Sequence, residues 1–292
     1  MTTQPDALFK HTFGHVKQHR LVGDIIRQFS DNRSDVYEMA LKGLDFDQPI
    51  RILDIGCGYG RFTGHLKQRV PAGSKCTGLD LLTENRQPFL DTARQIDPQA
   101  DFIAGSADQI EVIADNSYEL IIIAYSLNFF STIIPQLARI LTPGGQVVII
   151  NHTRHFLKEL VQDIILALSH STIADHARLN HEQLISDFND ENGNSFLTPH
   201  FKTIEYIDYR NQLSFSPGEL DRFFIYLDFK LPMLVRTNQL ETDTDLTRFK
   251  EMLFKIIRQG SQESGVYRLN KDDCIFRCRQ PVKKELPDVR KT

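Results

Sequence analysis

Ile52-Leu-Asp-Ile-Gly-Cys-Gly-Tyr-Gly60 is the stretch whose reading decides the fold. It begins inside a short apolar run, Arg51–Ile55, of the length and character of a strand buried on both faces. Glycines at 56, 58 and 60 let the backbone turn tightly and pass close to a ligand. A helix opening directly after that turn presents unpaired N–H groups, which favour an anionic group. In open α/β sheets this carboxyl end of the first strand is where a ligand sits.

Outward from this stretch, short apolar runs recur at Cys76–Leu81, Asp101–Ala104, Glu119–Ala124 and Gln146–Ile150. Helix-length segments, Arg61–Val70, Glu84–Ile96 and Thr132–Leu141, lie between them. Such alternation predicts a parallel sheet with helices on both sides, turned at Pro71-Ala-Gly and Thr142-Pro-Gly-Gly. The first fifty residues read as polar helices with breaks near Gly23 and Gly43. Beyond Asn151, residues 154–192 read as two or three helices, 201–209 as a strand, 217–229 and 245–258 as helices, and Gly265–Cys278 as a final strand.

The 292 residues are 41% hydrophobic and 25% charged, which excludes disordered, collagenous and disulfide-rich classes. With 34 Lys and Arg against 38 Asp and Glu, the net charge of −4 argues against a generic nucleic-acid binder. Four cysteines (Cys57, Cys76, Cys274, Cys278) suit a reducing compartment, the first residues lack a signal-peptide pattern, and the apolar stretch Leu120–Phe130 is too short to span a bilayer. The expectation is a cytoplasmic protein with no membrane partner.

A nicotinamide fingerprint requires Gly-x-Gly-x-x-Gly, and here its last position is Arg61, while Asp54 stands inside the strand end. On these residues, and on those that follow in order over about 45–151, the sequence resembles the class I S-adenosylmethionine-dependent methyltransferases. The resemblance implies S-adenosyl-L-methionine as cofactor, held at its methionine end by Asp54, Gly56, Cys57, Gly58 and Gly60. It implies that Asp80, in Gly78-Leu-Asp-Leu81, accepts hydrogen bonds from both ribose hydroxyls, with Leu81 beside it. Ala104-Gly-Ser-Ala-Asp108 matches the adenine-binding turn, with Ser106 where an acid is usual and Asp108 two residues later; Ser106, Ala107 and Asp108 are the candidates there. Tyr125 is expected to wall the cofactor pocket. Asp115–Ala124 and Leu137-Ala-Arg-Ile-Leu-Thr-Pro-Gly-Gly145 resemble the family's run into the fourth strand and its turn before the fifth. The implied fold is α/β, a doubly wound, mostly parallel seven-stranded Rossmann-like sheet with a helical cap and insertions.

The sulfonium is an activated electrophile, so the protein has only to align an acceptor and exclude water, with a base where the nucleophile arrives protonated. Absent motifs narrow the acceptor. Ala124-Tyr-Ser-Leu is not an Asn/Asp-Pro-Pro-aromatic motif, no Pro-Cys occurs, and no aspartate follows the fourth strand. The expectation is metal-independent transfer to nitrogen, oxygen or carbon of a small molecule. RNA or protein methylation, a cofactor-binding protein without methyl transfer, and a nicotinamide oxidoreductase are the alternatives. Candidates for catalysis are His152, which titrates near neutral pH when unperturbed, and Tyr125. Asn128 and Asn151 also follow strand ends, and Phe129 and Phe130 read equally as pocket lining or core.

His11, His15 and His19 recur at helical spacing and read as a solvated face; no metal site is expected. The division expected is 1–45 as a helical cap, 46–151 as the cofactor-binding core, 152–280 as helical insertions with the last two strands, and 281–292 as a loose tail. Long connections of this kind are usually functional. The resemblance implies that the region before the sheet folds over the cofactor, so Phe13–Arg33 is a candidate lid; Arg222–Phe229 either roofs an acceptor pocket or is the packing face of an added helix.

Overall fold

The computed structural model describes residues 10, 12–170, 185–235 and 243–283. The chain forms two compact units: a sheet unit within residues 36–151, 188–208 and 274–283, and a helical unit within 10–35, 152–187 and 209–273.

The sheet unit holds α2 (Val36–Leu41), β1 (Arg51–Ile55), α3 (Arg61–Gly64), β2 (Lys75–Asp80), α4 (Arg86–Ala93), β3 (Asp101–Ala104), β4 (Tyr118–Ala124), α5 (Ile134–Ile140) and β5 (Leu141–His152), then α7 (Gly193–Leu197), β6 (Phe201–Tyr209) and β9 (Asp273–Pro281). Its seven strands are ordered β3-β2-β1-β4-β5-β9-β6. β1 pairs in parallel with β2 and β4, β2 with β3, and β4 with β5. The end of β5 meets the start of β9, where Cys274 Sγ donates to the Asn151 carbonyl, and the end of β9 meets the start of β6, where Val282 N–H donates to the His200 carbonyl. β9 therefore runs antiparallel to both neighbours, and the sheet is mixed. Ile52, Leu53, Leu120–Ile123 and Val147–Ile150 are fully buried, because helices cover both faces of these central strands.

The helical unit is built from α1 (Val16–Phe29), α6 (Lys158–Ser169), α8 (Leu220–Leu234), α9 (Asp243–Ser264) and a two-stranded antiparallel sheet of β7 (Gln212–Phe215) and β8 (Tyr267–Asn270). It has its own apolar core, in which α1 packs on α8 and α6 on α9. A capping box at Ser216 and Glu219 starts the turn that leads into α8.

Several expected boundaries shift. Gly23 lies inside α1 and breaks nothing; Gly43, at φ 75°, does follow the end of α2. The helix expected over Arg61–Val70 lasts one turn and then continues as turns. Gly265–Cys278 is not one strand: Lys271 and Asp272 separate β8 from β9, which belong to different sheets. β7 is an additional strand whose four residues carried too little alternation to be read. His11, part of 154–192 and nearly all of the expected tail lie outside the described residues.

Gly193 marks how tightly the sheet unit is packed. A Cβ there would lie 2.5 Å from the fully buried Phe276 ring. Gly193→Ala should cost roughly 1–3 kcal/mol by overpacking, read as a lower urea midpoint at unchanged m-value.

Candidate functional site

The loop after β1 is built around positive φ values: 67° at Gly56, 51° at Gly58 and 80° at Gly60, a region costly for any residue with a Cβ. Space adds a second constraint, since a Cβ on Gly56 would lie 2.5 Å from Ser126 Oγ. The backbone of Gly56 and Cys57 donates to the Leu79 carbonyl at 2.8 and 3.2 Å, so the loop is tied to β2. Gly78 on β2 has its own reason to lack a side chain, because a Cβ would meet Phe89 at 2.6 Å and Cys57 Sγ at 2.8 Å.

Two buried carboxylates flank the loop. Asp80 Oδ2 accepts from Gly58 N–H at 2.7 Å, while Oδ1 accepts from Leu82 N–H at 2.8 Å and from Asn85 Nδ2 at 3.2 Å. A carboxylate has about four lone-pair sites, so this network leaves room for about one more donor. The expectation that Asp80 receives both ribose hydroxyls therefore needs Gly58 or Asn85 to give way. Burial raises the Asp80 pKa above the usual range against these donors. Asp54 is almost wholly buried, with Thr63 Oγ1 donating to Oδ2 at 2.6 Å. Burial pushes its pKa up to about 7, opposed by Thr63 and reinforced by Asp80.

The other expected residues fall at neighbouring strand ends. Leu81 follows β2 and is 38% exposed, an apolar side chain left open beside Asp80. Ser106 and Asp108 follow β3, with Ser106 Oγ donating to Asp108 Oδ2 at 3.2 Å, and Ala107 is buried. Tyr125, directly after β4, has φ 58°, a strained conformation for a bulky side chain. Its N–H donates to the Ile150 carbonyl, and its ring meets Tyr37 edge-on at 6.5 Å, with the Arg61 guanidinium 5.3 Å from the Tyr37 centroid. Phe129 is partly exposed and Phe130 packs on the core of the sheet unit, so the two residues divide the alternatives.

His152, the last residue of β5, lies within the helical unit. Its ring stacks on Phe156 at 3.6 Å, and Nδ1 lies 2.9 Å from Asp273 Oδ1. Asp273 also receives Lys271 Nζ on both oxygens at 2.8 Å. Burial pushes the Asp273 pKa up, but Lys271 and His152 outweigh it and hold the carboxylate ionised. Burial, Lys271 and Lys230 take the His152 pKa down to about 3 against the pull of Asp273. The imidazole is thus neutral at pH 7, with Nδ1–H donating to Asp273, and it is a weak proton acceptor.

Thr63, Asn85, Ser126 and the Lys271–Asp273 pair were not anticipated. Ser126 donates to a carbonyl 71 residues away, while Thr63 and Asn85 reach back to carboxylates nine and five residues earlier across a turn. Lys271-Asp-Asp273, charged in the middle of an apolar run, was a signal that could have been read. Arg222–Phe229 lies largely in the core of the helical unit, as a packing face. His19 stacks on Phe229 at 5.5 Å, so the solvated-face reading fails for it, whereas His15 is exposed. Among the described residues, no group of three His, Cys, Asp or Glu is arranged to hold a metal ion.

Residues 52–145 match the methyltransferase domain family. The match covers about a third of the chain. Similar proteins include an uncharacterized methyltransferase of Mycobacterium tuberculosis, 33% identical over 107 residues (36% of this chain, 40% of the relative). The trans-aconitate 2-methyltransferase of Delftia acidovorans is 34% identical over 126 residues, 42% of this chain and 45% of the relative. The chain thus matches less than half the length of these relatives. Among solved structures, phosphoethanolamine N-methyltransferase 2 of Haemonchus contortus in complex with S-adenosyl-L-methionine shares the fold, with a TM-score of 0.56 and 14% identity over 96% of this chain and 61% of that one.

The methyltransferase domain carries a pH signature. Because the Asp54 pKa is raised from about 4 to about 7, the folded chain keeps a proton that the unfolded chain releases. This contribution to stability is complete at low pH, falls as pH rises from about 4, and levels off above about 7. With no cofactor added, Asp54→Asn should lack that slope and melt above wild type at pH 8, read by thermal denaturation of both across pH 5–8.

Proposed function

We propose that the protein transfers the methyl group of S-adenosyl-L-methionine to a small-molecule acceptor by direct, metal-independent displacement. The observation that carries this reading is the glycine loop set between two buried carboxylates at the carboxyl ends of β1 and β2. The residues fit the cofactor: a cradle that a Cβ would fill lies beside Asp54, whose ionised form suits an ammonium group, and Asp80 retains capacity for a hydroxyl donor. Leu81 offers an apolar surface, and Ser106 and Asp108 offer polar groups to an adenine edge. When bound, the cofactor supplies a methyl group already activated by its sulfonium.

The chain's own part is positioning and exclusion of water. Tyr125, held in a strained conformation at the end of β4, places its ring at that end of the loop cluster. His152 is too weak a base to deprotonate an acceptor at neutral pH, so it acts as a neutral hydrogen-bonding group. An acceptor that arrives with its lone pair available, such as a carboxylate, needs no base. Two of the relatives are named trans-aconitate 2-methyltransferases, which supports a small-molecule acceptor.

The test is calorimetric titration with S-adenosyl-L-methionine, S-adenosylhomocysteine and nicotinamide nucleotides, followed by an assay for S-adenosylhomocysteine release on a mixture of small metabolites. The sulfonium cofactor and its product should bind; tight binding of a nicotinamide nucleotide alone would overturn the reading. Asp80→Asn should weaken S-adenosylhomocysteine binding roughly tenfold to a hundredfold, the worth of a hydrogen bond to a charged group. Affinity should also rise from pH 5.5 to 7.5 as Asp54 ionises, and Asp54→Asn should flatten that profile.

A further inference from the structure

We infer that the helical unit carries a binding site for one carboxylate group of a small molecule, formed by Lys230 and Tyr226 on α8 over the Phe156 and Phe229 rings. This goes beyond the methyltransferase reading: it assigns a ligand class to the helical unit and does not depend on that reading.

His152, Asp273, Lys271 and Lys230 form one cluster around Phe156, in which Asp273 and Lys271 are buried and His152 and Lys230 are partly buried. His152 stacks on the ring, Lys271 Nζ lies 5.4 Å from its centroid, and Lys230 Nζ lies 5.6 Å from it and 5.7 Å from that of Phe229. Lys271 spends its charge on both oxygens of Asp273. His152 is neutral. Lys230 is left over: among the described residues it makes no hydrogen bond or ion pair, only the two ring contacts. Burial and Lys271 lower its pKa to about 8 against the pull of Asp273, which still leaves it mostly protonated at pH 7. Among the described residues no carboxylate is within ion-pair distance of Lys230, so an anion placed beside it would be favoured.

A second observation is independent of charge. Tyr226 lies one helical turn before Lys230, on the same face of α8, and is fully buried. Its hydroxyl has no hydrogen-bond partner, although buried phenols ordinarily find one. A cation over two aromatic rings and an unused O–H donor one helical turn away match the two oxygens of a carboxylate. One free positive charge balances one carboxylate, whereas a phosphate dianion would leave a negative charge buried in excess. That is the reason for assigning a carboxylate.

The experiment is calorimetric titration of the full chain at pH 7 with tricarballylate, its neutral trimethyl ester and inorganic phosphate, each with and without S-adenosylhomocysteine. Tricarballylate should bind and the ester should not. Lys230→Met should weaken tricarballylate binding at least tenfold and Tyr226→Phe severalfold, while Lys230→Arg keeps most of it. Lys250→Met, which removes an exposed lysine paired with Asp228, should change nothing. Lys230→Met should also melt at or above wild type when no anion is added, because a partly buried cation with no ion pair among the described residues has been removed. Tricarballylate binding unchanged in Lys230→Met, a Lys230→Met protein that melts well below wild type, or no binding of tricarballylate to wild type would each overturn the inference. Phosphate binding tighter than tricarballylate would overturn the carboxylate assignment. S-adenosylhomocysteine binding is read in the same titrations and should survive in Lys230→Met. Its absence from wild type would overturn the methyltransferase reading and leave the anion site to be judged on its own data.

Discussion

The carboxylate of Asp80 is the interaction on which the candidate site depends. From the end of β2 it holds the Gly58 N–H of the loop after β1 and the Leu82 N–H of its own following turn. Neither donor is well placed to find another partner, and a buried N–H left unpaired costs more than the bond itself contributes. One side chain thus sets the spacing between two strand ends. The parallel register of β1 with β2, Asp54 beside Gly78, makes that reach possible, and the closeness of Phe89 and Cys57 to Gly78 preserves it.

The two units handle buried charge in different ways. In the sheet unit Asp54 and Asp80 are both desolvated and burial raises both pKa values, so that the neutral form of Asp54 becomes accessible near physiological pH. In the helical unit Asp273 stays ionised because Lys271 Nζ donates to both of its oxygens, and His152 is kept neutral by the same neighbourhood. A histidine at the end of a strand suggests a general base. Here low dielectric and two nearby lysines remove that capacity, and leave a hydrogen bond that orients the ring. The chemistry proposed for the protein accordingly relies on an electrophile activated in the cofactor and on placement of the acceptor.

The strands of the sheet unit were legible because burial on both faces demands consecutive apolar residues, and Ile121-Ile-Ile123 and Val147–Ile150 supply them. The loop was legible because positive φ and a close approach of Ser126 leave glycine as the fitting residue at position 56. Helix lengths were less legible. The segment after the loop carries helix-forming residues to Val70, yet only the first turn is helical, since propensity is a weak prior against tertiary packing. β7 was missed because a four-residue strand has too short a period to register, and the split at Lys271-Asp272 was missed because the apolar runs on either side read as one.

By itself, then, the sequence determined the order of strands and helices from 51 to 151, the glycine loop and the acidic residues beside it. These are local properties: periodicity, φ preference and residues adjacent in the chain. Tertiary structure decided which side chains complete each carboxylate's hydrogen bonds, since Thr63 reaches Asp54 and Asn85 reaches Asp80 only after folding. It decided that His152 meets Asp273 from 121 residues away, and that the Lys230 ammonium stands over the Phe156 ring. Protonation states follow from burial and from neighbours distant in sequence, and neither exists until the chain has closed around them.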